Sequence, residues 1–223
     1  AKSLECDFGM DFPVRDVDLD SEAEVLLPED ILIDKGDENL ARNHMRGHIR
    51  STGEPILIKK CANLRDKELQ RELLSRITAL TELQDCQNLI RWHASFVSAS
   101  GIVYMVQDCS DRGSLKDLQL RLEELCFPMK HIPSVALQLL NGLSFLHRKK
   151  ILHGMVRPTN ILLQSTGDVK LSDFGINACN WRTMNNFNEM LYLAPEVHLD
   201  EDSELPSLDI WSAGIVFYEL ASG

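Results

Sequence analysis

Apolar positions change their spacing along this chain, and the change divides it. From about residue 31 to 112 they come in short runs. "PILIKK" (55–60), after the turn "STGE", and then "NLIRWHASFV" and "GIVYMVQD" predict strands, the last two paired. Among them, "DKELQRELLSRITALTEL" (66–83) sets Leu69, Leu73, Leu74, Ile77, Leu80 and Leu83 at helical spacing. "EVLLPEDILI" reads as an edge strand at the start of this part. From about 113 the helical period takes over. "GSLKDLQLRLEEL" predicts a short helix. "IPSVALQLLNGLSFLHRKK" predicts a longer one with Ile132, Ala136, Leu139, Leu143 and Leu146 on one stripe and basic residues in its last turn. "ILLQSTGDVKLSD" is a hairpin around "STGD". "LDIWSAGIVFYELASG" is almost wholly apolar, which predicts a buried helix. A strand-rich part thus precedes a helical part, joined near 108–113.

Composition fits a globular chain, with 44% apolar and 26% charged residues. No apolar run nears the ~20 residues that span a bilayer, and the first residues lack a charged segment followed by an apolar one. Net charge is −11, and the first 30 residues, with ten acids and two bases, hold −8 of it. The rest is nearly neutral, which argues against a nucleic-acid surface. The acidic start (1–30) reads as a solvated extension, or more sharply as a docking segment for a basic partner. Six scattered cysteines, with no C-x-x-C pair and no zinc spacing, suggest free thiols in a reducing, cytoplasmic or nucleocytoplasmic compartment.

Several short motifs occur in order: "ILIK" (56–59), "HGMVRPTN" (153–160), "DFG" (173–175), "LAPE" (193–196) and "DIWSAG" (209–214). Together they resemble the signatures of a eukaryotic protein kinase domain of the Ser/Thr type, from about residue 31 onward. The resemblance implies an α+β fold in two lobes. Residues 31–112 form a lobe of antiparallel sheet plus one helix, and 113–223 a mainly helical lobe. Because the chain ends at "ELASG", the resemblance further implies that this second lobe is incomplete.

Phosphoryl transfer in this family rests on positioned phosphates, metal ions and an oriented nucleophile. By resemblance, Lys59 is the lysine that holds the α- and β-phosphates. Asn160 and Asp173 are the magnesium ligands. Leu57, Gln107 (gatekeeper) and Leu162 (floor) line the adenine site, with Asp108 to Ser110 as the hinge. Leu57 replaces a small alanine and crowds the ring. The glycine-rich loop aligns best with "GDENLA", which keeps Gly36 but puts Glu38 and Ala41 at the other glycines. Bulk and negative charge there oppose a phosphate. The glutamate that pairs with the lysine is replaced by Arg76, or Glu72 one turn earlier substitutes for it.

The departure that matters most is in the catalytic loop. Met155 falls where the family has its catalytic aspartate, Gly154 falls at the arginine, and Arg157 replaces the loop lysine. A thioether does not accept a proton at neutral pH, and no other acid lies between His153 and Asn160. Glu189 stands at the usual threonine of the activation segment, and Thr183 is the one hydroxyl between "DFG" and Tyr192. No catalytic residue is therefore expected. The expected function is that of a pseudokinase working on other proteins as an interaction or allosteric module, with weak or absent binding of ATP and Mg²⁺. The alternatives are an ATP-sensing switch without transfer and a divergent active Ser/Thr kinase. Neither nucleic acid nor membrane is expected as a partner.

Overall fold

A computed structural model of the chain describes residues 26, 28–34, 44–63, 67–81, 83, 85–98, 100–122, 127–175, 190–198 and 205–222. It divides into two compact units, one of Ala1–Glu82 with Arg91–Cys109, the other of Leu83–Ile90 with Ser110–Gly223. The chain therefore enters the second unit for eight residues, returns, and leaves for good after Cys109.

The first unit is a five-stranded antiparallel sheet of β1 (Ile31–Ile33), β2 (His44–Ile49), β3 (Pro55–Asn63), β4 (Trp92–Val97) and β5 (Ile102–Asp108), in the order β1-β2-β3-β5-β4. Alternation assigns its faces. Ile56 and Ile58 of β3 join Ile49 and Val106 in one buried cluster, which sends Leu57 and Lys59 to the opposite face. A bulge between Lys60 and Ala62 follows directly after that lysine. At Gly47 of β2 a Cβ would lie 2.4 Å from the Leu32 carbonyl oxygen, so only glycine lets β1 approach so closely. Helix α1 (Lys67–Thr81) packs on β4 and buries Ile77 and Leu80. It stops short of the expected residue 83. The Thr78 and Thr81 hydroxyls donate back to the Leu74 and Thr78 carbonyls, a local alternative to continuing the helix.

In the second unit, α2 (Leu115–Arg121) begins with a capping box. Ser114 Oγ accepts the Asp117 N–H, and the Asp117 carboxylate accepts the Ser114 N–H. Helix α3 (Ile132–Arg148) buries Val135, Leu139, Gly142, Leu143 and Leu146. The expected stripe was partly misplaced, since Ile132 and Ala136 are only half-buried and Val135 takes the inner position. Gly142 is required by packing, because a Cβ there would meet Leu171 Cδ1 at 2.9 Å and the Asn88 carbonyl oxygen at 3.1 Å. Residues 83–90 are tied to the hairpin of β6 (Ile161–Leu163) and β7 (Val169–Leu171). Leu171 N–H donates to Asn88 O, Ile90 N–H to Leu171 O, and Asn88 Nδ2 to Val169 O.

Helix α4 (Pro206–Ser222) corrects another expectation. It buries one face, Leu208, Asp209, Ser212, Ala213, Val216 and Leu220, while Ile210, Trp211 and Tyr218 are 49%, 45% and 72% exposed. The buried positions recur at helical spacing, and the apolar residues between them find no cover among the described residues. The antiparallel sheet with one helix, followed by a mainly helical part, is the expected α+β class. No described helix is long and apolar enough to cross a membrane.

Candidate functional site

The loop from Ile151 to Asn160 is held by an acid inside an otherwise apolar helix. Asp209, 1% exposed, accepts the His153 N–H at 2.8 Å and the Gly154 N–H at 2.9 Å, while His147 Nε2 lies 2.7 Å from the same carboxylate. Charge-assisted bonds to two successive backbone N–H groups fix the turn of the loop. Gly154 sits there at φ +76°, in the left-handed region where a Cβ is disfavoured. The glycine therefore eases the very turn that Asp209 holds, besides supplying no guanidinium.

His153 is fully buried, and desolvation keeps its imidazole below the ordinary range, so the ring is neutral. Its Nδ1 accepts the Met155 N–H at 3.2 Å, which puts the proton on Nε2. That Nε2 has no hydrogen-bond partner among the described residues. Phe174 stands edge-on to the ring at 6.4 Å.

Met155 is thereby fixed on both sides. Besides the bond from its N–H, its carbonyl accepts Asn160 Nδ2 at 2.9 Å. The side chain is 9% exposed. The loop backbone is fixed at this residue, and the side chain it presents is a thioether with no proton-accepting power at neutral pH.

Asn160 and Asp173 come together in this unit. The bond from Nδ2 to Met155 O turns Asn160 Oδ1 away from it. Among the described residues that oxygen meets only the Thr159 hydroxyl, at a long 3.4 Å. Ser172 N–H donates to Asn160 O at 3.0 Å and Gly175 N–H to His153 O at 3.2 Å, so the loop carrying Asp173 is laced to the catalytic-type loop. Asp173 is 4% exposed and has φ +62°, an uncommon conformation for a non-glycine residue and a strain that functional positions retain. One carboxamide oxygen and one carboxylate suit Mg²⁺, which takes few protein ligands and completes its shell with water and phosphate. No cluster of three or more His, Cys, Asp or Glu suited to a metal exists among the described residues. Leu162, 9% exposed, lies in β6 opposite Lys170.

The sheet unit carries the other expected residues. Leu57 of β3 lies directly opposite Gln107 of β5, which lies opposite Trp92 of β4, so the three form one row across the sheet. Lys59 is two residues along on the same face, opposite Met105, and is half-buried. Gln107 is 2% exposed, and its Oε1 has no hydrogen-bond partner among the described residues. Gly36, Glu38 and Ala41, and Thr183 and Glu189 of the activation segment, lie outside the described residues, as do the side chains of Glu72 and Arg76. Lys59 and Asp173 belong to different units.

Two features were missed in the sequence. One is the Asp209 clamp; the sequence marked Asp209 only as the first residue of "DIWSAG", without its hydrogen-bonding role. The other is a cluster at Glu219 of α4. Its Oε2 accepts the Tyr192 O–H at 2.5 Å, and its Oε1 takes Lys116 Nζ and Gln119 Nε2, each at 3.4 Å. Burial, with Glu219 beside it, pushes the Tyr192 phenol well above its ordinary pKa, so it stays a donor.

Comparison with known proteins places these loops in context. A family model described as "Protein kinase domain" matches residues 44–223. The chain is 32% identical over 181 residues to cell division control protein 2 homolog 3 of Trypanosoma brucei brucei, covering 78% of this chain and 56% of that protein. It is 30% identical over 174 residues to mitogen-activated protein kinase kinase 3 of Arabidopsis thaliana, covering 75% and 33%. It is 29% identical over 183 residues to cyclin-dependent kinase 20 of Danio rerio, covering 76% and 50%. The chain thus spans about half or less of the length of these curated relatives.

Proposed function

The chain belongs to the protein kinase family, and from that premise we propose that this domain is a pseudokinase. It works by binding other proteins rather than by transferring phosphate. The observation that carries this reading is Met155, held by its backbone N–H and carbonyl in a well-anchored loop with nothing there to take a proton. The substrate hydroxyl would lack both an orienting carboxylate and a proton acceptor. Positioning groups act as a unit, so the glycine and glutamate losses expected from the sequence compound that defect.

A second reading has its own support. Asn160 and Asp173 lie on loops joined by the Ser172 N–H to Asn160 O bond and carry oxygen donors of the type that suits magnesium, and Asp173 has a left-handed backbone. A bound Mg²⁺ would supply positive charge against the phosphates of ATP. In this chain Asn160 and Asp173 would hold the ion, and Lys59 would contact the phosphates. A domain keeping those groups without the base would sense nucleotide and not consume it.

Thermal denaturation with ATP, with and without Mg²⁺, beside Lys59→Met and Asp173→Asn, separates the two readings. Under the first we expect no shift at millimolar ATP. Under the second, Mg²⁺-dependent stabilisation reaches ~2.7 kcal/mol at a hundredfold excess over Kd, and both substitutions remove it.

A further inference from the structure

We propose that residues 8–14 of this same chain dock across one face of the five-stranded sheet and complete the apolar core there. Alternation puts Ile49, Ile56, Ile58 and Val106 on that face as a buried cluster. Met45, Ala94, Phe96 and Tyr104 border it and stay half-buried, with the Phe96 and Tyr104 rings 5.8 Å apart. Among the described residues, Leu26 is the one apolar residue from outside the strands that packs on this cluster.

Leu26 brings the N-terminal extension onto this face, and the sequence before it names the occupant. In "FGMDFPV" (8–14), Phe8, Met10, Phe12 and Val14 alternate with Gly9, Asp11 and Pro13. An extended segment with that pattern presents four apolar side chains on one side and Asp11 on the other. The sheet offers matching chemistry, an aliphatic centre with an aromatic border. Asp108, opposite Ile56 at the margin, already has His93 Nε2 at 2.7 Å. Apolar burial rather than charge therefore selects the occupant. The lengths also agree. Seven extended residues span ~23 Å, and five strands side by side span ~19 Å. Residues 15–25 reach as far as ~36 Å when extended, enough to return 8–14 over the sheet from Leu26. Pro13 is no obstacle, because a segment lying over a face needs no ladder N–H.

The test uses the full chain with the photo-crosslinker p-benzoylphenylalanine in place of Phe12. Irradiation, digestion and mass spectrometry locate the crosslink. We expect it within one chain, on β2, β4 or β5 near Met45, Phe96 or Tyr104. Crosslinks only between two chains, seen as a doubled mass on a denaturing gel, would assign the face to a second copy and overturn the proposal. Crosslinks confined to other parts of the chain, or none, would overturn it as well. The double variant Phe8→Ser, Phe12→Ser should lower the thermal midpoint by about 4 °C or more, since apolar cover is lost. An unchanged midpoint would mean that these side chains cover nothing. Neither readout depends on phosphotransfer, so this proposal and the pseudokinase reading stand or fall separately.

Discussion

Asp209→Ala is expected to destabilise the helical unit by about 3–5 kcal/mol, read as a lower midpoint in chemical denaturation. The carboxylate is almost fully buried and satisfies three donors at once, the His153 and Gly154 N–H groups and His147 Nε2. Alanine would leave two backbone N–H groups without an acceptor in a dry setting. That costs more than the bonds themselves contribute. The loss should reach Met155 and Asn160, since both hang from the same loop. Hydrogen exchange of the 153–160 amides is therefore expected to rise in Asp209→Ala. A variant with the parent's midpoint and protection would mean that the loop is held by something else.

Trp92→Ala should cost the sheet unit a similar amount, about 3–5 kcal/mol. Trp92 is 1% exposed and stands opposite Gln107 in the row that includes Leu57. Removing the indole leaves a cavity beside a glutamine whose Oε1 already lacks a partner among the described residues. The consequence is double, lost packing and freedom for the Gln107 side chain to move. Denaturation followed by circular dichroism measures the first. A loss below ~1 kcal/mol would show that the row collapses to fill the space.

Much of this was legible in the sequence, for physical reasons that differ from element to element. The strands and α1 announced themselves by period, because one face of each had to be buried. The loop motifs were legible as those of the family because its signature loops tolerate few residue types at each position. The inner face of α3 was read partly wrong, since Val135 and Ile132 both fit a helical stripe and only the neighbouring hairpin decides between them. Helix α4 was expected to be buried, because composition reports how apolar a helix is and not how many neighbours it meets. The Asp209 clamp was hidden for another reason. Its partners are backbone N–H groups about 55 residues away, and backbone donors leave no mark on sequence. Gly154 reads in the sequence as a lost arginine. The structure adds that its left-handed backbone favours glycine.

The most direct test of the central claim is incorporation of labelled phosphate from Mg²⁺-ATP, into the chain itself and into a generic acceptor protein, beside Lys59→Met and Asp173→Asn. A domain whose loop presents Met155 in place of an acid should give the same background in all three proteins. Incorporation well above that background, and lost in both variants, would mean that phosphate is transferred without a loop carboxylate and would contradict the pseudokinase reading.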